Sequence, residues 1–135
     1  MYIEKLYEKG RLGQGAEAVR RIKTAMRFAR DYEYSGFLPS IRCPLGVECR
    51  GSHISFENDI NRLDAVDRYL AGVRACGPLY FPVVKHFVLD DSSFSAFIRN
   101  NFLPNGGRVA QDIYSKLRKG LDLIFDAYME GNDNG

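Results

Sequence analysis

Apolar residues recur along most of the chain every three or four positions, the spacing that places them on one face of an α-helix. Tyr2, Ile3, Leu6 and Tyr7 share one side of a short amphipathic helix over residues 2–9, broken by Gly10, Gly13 and Gly15. From Ala16 to about Tyr34, Val19, Ile22, Met26, Ala29 and Tyr32 make a second stripe with no Gly or Pro inside it. Ser35-Gly36 and then Pro39 end that helix. A third is predicted from about Glu57 to Ala75, burying Ile60, Leu63, Val66, Leu70 and Val73 and closed by Gly77-Pro78. A fourth starts near Phe81-Pro82, where a proline costs no hydrogen bond, and buries Val83, Val84, Phe87 and Val88.

Asp90-Asp91-Ser92 supplies turn and capping oxygens for a short fifth helix, Ser93 to about Arg99, with Phe94, Phe97 and Ile98 on one side. Asn100 to Gly107, holding Pro104-Asn105-Gly106-Gly107, forces a sharp change of direction. The sixth helix, Arg108 to Met129, turns Val109, Ile113, Leu117, Leu121, Ile124 and Tyr128 inward. Arg108, Gln111, Asp112, Ser115, Lys116, Arg118 and Lys119 are left to point outward. Only Phe37 to Ser55 shows no sustained period, and it reads as a loop or a short irregular strand pair. The predicted fold is all-α with about six helices. It is one domain, 1–135, made of an N-terminal helical part over 1–76 and a helix-turn-helix subregion over 79–129.

The composition, 45% hydrophobic and 27% charged over 135 residues, is that of a globular domain rather than a disordered chain. No apolar run is long enough to span a membrane, and Met1-Tyr2-Ile3-Glu4-Lys5 does not open a signal peptide, so no membrane partner and a cytoplasmic location are expected. Three cysteines, an odd number, argue against a disulfide framework. The net charge of +2 is small, but its distribution is uneven. Arg20, Arg21, Lys23, Arg27 and Arg30 crowd one segment, and Arg108, Lys116, Arg118 and Lys119 another. Acids gather in Glu57 to Asp67 and in the tail from Asp122 to Asp133. Two basic segments on a balanced chain could form one phosphate-facing surface, or simply two solvated helix faces.

Cys43, Cys49 and His53 place three soft ligands within one short stretch. Their C-x5-C-x3-H spacing is similar to the last three ligands of the CCCH zinc-finger family, whose members mostly bind single-stranded RNA. That family has a further cysteine upstream, and Asp31 to Arg42 contains none. Cys76 or His86 could close a four-ligand site only if the fold brought them near. Buried free thiols with a surface His53, and no cofactor, are the plainer expectation. No nucleophile, base or phosphate loop stands at a spacing that suggests catalysis, and an enzyme is not expected.

A short helix packed against a longer one with polar side chains in its first turns is how a helix-turn-helix reads a major groove. The segment Leu79 to Ala127 resembles the region-4 module of sigma factors and the phage late regulators built on it. In that resemblance Phe81 to Leu89 is the opening helix, Ser93 to Arg99 the short one, and Arg108 to Met129 the recognition helix. Upstream, Leu6-Tyr7-Glu8-Lys9-Gly10-Arg11-Leu12 and Arg27 to Gly36 are similar to an uncharacterised alphaproteobacterial family of helical proteins ending in such a module. Some of its members are thought to activate phage-like or gene-transfer-agent operons. The resemblance implies a transcription regulator that binds double-stranded DNA through Arg108, Gln111, Asp112, Ser115 and Lys116, and the two basic segments add Lys119, Arg20 and Arg27 as candidates to face phosphates. A homodimer follows if the target is palindromic. An adaptor touching RNA polymerase without reading DNA, and a zinc-dependent RNA-binding protein, are the alternatives. The turn Asn100 to Gly107 is longer than the tight turn of the sigma module, and the cysteine-containing loop is not part of the resemblance.

Overall fold

The computed structural model describes residues 1–35, 56–104 and 106–133, with side chains at all of these except 56–60 and 131–133. Every described secondary-structure element is helical: α1 (Tyr2–Glu8), α2 (Gly15–Ser35), α3 (Phe56–Val84), a π turn (Lys85–Leu89), α4 (Phe94–Asn100) and α5 (Gly107–Asp133). The all-α expectation holds. The predicted irregular loop 37–55, with Cys43, Cys49 and His53, lies outside the described residues.

Side-chain pairings fix how the three long helices run. Arg21 meets Asp122 and Asp31 meets Tyr128, so α2 and α5 point the same way. Arg62 donates to the Ser35 carbonyl, Arg68 to Asp31, and Cys76 to the Gly120 carbonyl, so α3 runs against both. The seam between them holds Ile22, Ala25, Phe28, Tyr69, Val84, Leu117, Leu121 and Ile124. Two glycines let the helices close in. A Cβ on Gly72 would sit 2.6 Å from the Phe28 ring, and one on Gly120 would sit 2.6 Å from Val84 Cγ2.

Two predicted helices are one element with a kink. α3 continues to Cys76, turns at Gly77 (φ 69°) and resumes through Pro78, so the described residues form five α-helices where six were expected. Glycine supplies the left-handed backbone, and Pro78 opens a new first turn where no donor is needed. Pro82, expected to start a helix at no cost, lies a turn further in and leaves the Pro78 carbonyl without its helical donor. The buried lines also differ from the expected stripes. In α2 they are Ala18, Ile22, Ala25, Phe28 and Ala29, whereas Val19 and Met26 are exposed. In α3, Ala65, Tyr69 and Cys76 face inward and Leu63 is 62% exposed. Small residues win because they admit the neighbouring helix, while a periodicity count favours the larger aliphatic side chain one position away.

Polar groups hold the junctions. Asp31 is buried because Arg68 bonds both its oxygens, at 3.1 and 3.0 Å, and the Tyr128 hydroxyl donates to Oδ2 at 2.7 Å. Burial first, and then that bond, push the Tyr128 phenol well above its usual range. At the opposite end, Asp91 accepts the Tyr2 amide at 2.6 Å, tying α1 to the turn before α4. The cap of α4 itself is Ser93, which accepts from the Ala96 amide.

Candidate nucleic-acid interface

α4 and the first turns of α5 meet through aromatic rings. Phe94 stacks on Tyr114 with centroids 5.3 Å apart, and Phe97 on Phe87 at 5.8 Å. His86 lies edge-on to both Phe87 and Phe97. Its Nε2 is 2.8 Å from the Ser93 carbonyl oxygen, which can only accept, so Nε2 carries the proton. This cluster sets the position of the short helix beside the long one.

Along α5 the alternation is clean. Ile113, Tyr114, Leu117, Leu121, Ile124 and Tyr128 are buried against α2 and α3. Arg108, Gln111, Asp112, Ser115 and Lys119 are exposed on the opposite arc, and Lys116 stands at its edge, half-buried. From Arg108 to Lys119 this arc extends about 16 Å, comparable with the width of about 12 Å of a B-DNA major groove. Asp112 forms an i,i+4 pair with Lys116 at 3.4 Å, which lowers the net charge offered there.

The two candidates on α2 have other work. The Arg20 Nη2 contacts Asp122 at 3.2 Å, its guanidinium lies 4.9 Å from the Phe125 ring centre, and its Nε is buried with no hydrogen-bond partner among the described residues. Arg27 lies over the Tyr128 ring at 5.1 Å. Beside Arg20, Arg21 binds the Asp122 carboxylate through Nε and Nη2, both at 2.9 Å, and the Leu12 carbonyl through Nη1 at 2.8 Å. Burial alone would raise the Asp122 carboxyl, but the bonds and charge of Arg21, then of Arg20, outweigh it and hold it below its usual range. The hydrogen bond to Asp122 raises the Arg21 guanidinium further.

These pairings also settle where the basic segments lie. Arg21 is level with Asp122 and Asp31 with Tyr128, so Lys23, Arg27 and Arg30 flank the acidic end of α5, near Asp126 and Glu130. Arg108 is fourteen residues before Asp122, about 21 Å further along the bundle. Lys23, Arg27 and Arg30 therefore lie apart from Arg108, whereas the two basic segments adjoin at Arg21 and Arg118, which bond the neighbouring carbonyls of Leu12 and Arg11. Arg11, from the turn after α1, joins the α5 patch. Its guanidinium lies over Tyr114 at 5.1 Å, and its carbonyl accepts from the Arg118 Nη1 at 2.9 Å. Nothing in local sequence signals that contact, because the two arginines are 107 positions apart.

Cys76 is buried in the α3–α5 seam, where burial pushes its thiol up to about 12, and His86 is bonded at the foot of α4, while Cys43, Cys49 and His53 lie outside the described residues. Among the described residues no group of three or more His, Cys, Asp or Glu could hold a metal ion, and no helix is long and apolar enough to cross a membrane. Sequence reasoning also missed a groove of about 430 Å3 between α4 and α5. Val83, Phe97, Leu103, Val109 and Ile113 are its apolar lining, and Arg108, Asp112 and Lys116 contribute charged side chains.

No protein-family model matches the chain, and neither a curated protein nor a solved structure is significantly similar to it.

Proposed function

We propose that the protein is a DNA-binding transcription regulator that lays the outward arc of the first half of α5 on a duplex, with α4 as the supporting helix. The observation that carries this reading is the common exposure of Arg108, Gln111, Ser115 and Lys119 on one arc, backed by a fully buried opposite face. Arg108 and Gln111 have the geometry for paired hydrogen bonds to guanine and adenine edges, while Lys119, Arg118 and Arg11 answer to phosphates. The resemblance to the sigma region-4 module, and through it to regulators of phage-like or gene-transfer-agent operons, supports the same reading. Arg20 and Arg27 are not part of this footprint.

The test is anisotropy of a labelled mixed-sequence duplex between about 50 and 200 mM salt. The wild-type chain should bind with a negative log–log salt slope, and Arg108→Ala with Lys119→Ala should reduce that slope by about 0.9 for each phosphate no longer neutralised. No binding by the wild type at the lower salt, or an unchanged slope in the double variant, removes the assignment.

A second reading, an adaptor that touches RNA polymerase, draws on a different observation. Past Asp122 the exposed arc of α5 carries Asp126 and Glu130, an acidic surface that no duplex would favour. Co-purification with polymerase after nuclease treatment, abolished by Asp126→Lys, would distinguish it.

A further inference from the structure

We propose that two copies of this chain associate by exchanging Phe102, the ring of each copy entering the groove between α4 and α5 of the other. Phe102 is 94% exposed, more than any other large apolar side chain described. Its backbone is left-handed, with φ 54°. The cause lies in how α4 ends. Leu103 donates to the Ile98 carbonyl at 3.0 Å and Phe102 to the Arg99 carbonyl at 3.4 Å, a pair of bonds that requires left-handed backbone at the residue after the cap. α1 ends in the same way, with Arg11 bonded to Leu6 and Gly10 to Tyr7, and there the left-handed place is taken by Gly10 (φ 77°). One chain thus solves one problem twice, once with the residue that suits it and once with a phenylalanine held out in water. Neither local backbone nor core packing accounts for the ring.

The groove is immediately beside it. Asn101 and Leu103, its two neighbours in sequence, both line the groove, and Phe102 does not. The walls at Val83, Phe97, Val109 and Ile113 are apolar, and the volume of about 430 Å3 exceeds the roughly 150 Å3 that accepts a benzene molecule. The chain therefore offers a knob and a hole side by side, and none of the described residues fills either. A two-fold axis passing beside the α4–α5 turn makes both insertions at once, which is the condition for a closed, self-complementary contact. Charge agrees with a second copy as occupant. Arg108, Asp112 and Lys116 stand on the same rim, and a two-fold that brings Arg108 of one copy to Asp112 of the other adds a second cation to the carboxylate that Lys116 already holds at 3.4 Å. The contact is small, so association is weak and depends on concentration.

The experiment is sedimentation equilibrium without nucleic acid, over protein concentrations up to about 1 mM. The wild type should pass from monomer to dimer. Phe102→Ala should weaken the dimer by about tenfold or more, as truncation of a central aromatic anchor does. Leu63→Ala, a trim at a different exposed apolar side chain, should leave it unchanged. Arg108→Asp should also weaken it, and adding Asp112→Arg to the same chain should restore it. Since Phe102 touches no core, Phe102→Ala and Phe102→Gly keep the helical circular dichroism, with Phe102→Gly melting no lower than wild type. A wild type that stays monomeric throughout overturns the proposal, as does a Phe102→Ala dimer of unchanged strength. Arg108 also lies on the arc proposed to meet DNA, so dimer and duplex would compete for it; the Phe102 variants, which leave Arg108 in place, keep the two readings distinguishable.

Discussion

Arg21 on α2 and Asp122 on α5 meet in a two-point ion pair, Nε to Oδ1 and Nη2 to Oδ2 both at 2.9 Å, while the remaining Arg21 nitrogen holds the Leu12 carbonyl at 2.8 Å. One guanidinium thus fixes the α1–α2 turn, α2 and α5 together. Both side chains are largely sheltered, so the pair lies between the exposed limit of about 1 kcal/mol and the buried limit of about 3–5 kcal/mol. Arg21→Ala should cost about 2 kcal/mol in urea unfolding.

The same pair sets an acid limb. The folded Asp122 carboxyl titrates below its ordinary value of 3.8, so as pH falls the unfolded chain takes up the proton first. The stability contributed by this group is complete above that ordinary value and is lost as pH falls through the lower folded one. Unfolding free energy measured across this range should drop in the wild type and drop less steeply in Asp122→Asn. Equal slopes in the two would show that the carboxylate charge is not what the arginines hold.

The buried Asp31 carboxylate at the other end of the bundle depends on two donors of unequal weight. Arg68 bonds both oxygens, and Tyr128 bonds one. Arg68→Ala leaves a buried charge with a single neutral donor, and should cost about 3 kcal/mol. Tyr128→Phe removes one hydrogen bond to a charged group, and should cost about 2 kcal/mol. The reverse order in thermal or chemical unfolding would mean that the phenol, not the guanidinium, is what keeps Asp31 inside.

Most of this architecture is legible in sequence, and the exceptions share a cause. The helices and their breaks follow from 3.6-residue periodicity and from Gly10, Gly77 and Gly107. The inward face of α5 follows closely, since Ile113, Leu117, Leu121 and Ile124 have no polar rivals on that side, although Val109 is only half-buried and Tyr114 joins the buried line through its contacts with Phe94 and Phe87. The inward face of α2 does not, because Ala18, Ala25 and Thr24 are buried by the closeness of another helix, and closeness is not a property of one segment. The same limit applies to charge. Arg20 reads as an exposed cation until Asp122, 102 residues later, is folded against it. The outward arc of α5 was readable; Phe102 and its groove were not, since their meaning lies in a backbone sign and a gap between two elements.

Gly120 tests how tightly α3 and α5 close. A helical Gly→Ala change ordinarily gains about 1 kcal/mol. Here the added Cβ falls 2.6 Å from Val84 Cγ2 and 3.4 Å from Tyr80 Cβ, and Val84 is fully buried with no space to yield. Overpacking of about 1–3 kcal/mol outweighs the gain, so Gly120→Ala should destabilise. Val84→Ala should be less harmful in the Gly120→Ala background than alone, and purely additive effects would show that the seam can widen.

Arg20 and Arg108 separate structure from recognition. Arg20 joins Asp122 and covers Phe125, so Arg20→Ala should lower the unfolding free energy by about 1 kcal/mol while leaving the salt slope of duplex binding unchanged. Arg108 is exposed and in no ion pair among the described residues, so Arg108→Ala should change stability by less than about 0.5 kcal/mol yet reduce the slope by about 0.9. The crossed pattern is what counts. If Arg20→Ala lowers the slope as Arg108→Ala does, the duplex reaches across to α2 and the footprint on α5 alone is wrong. If neither variant moves it, the outward arc of α5 does not meet phosphate at all.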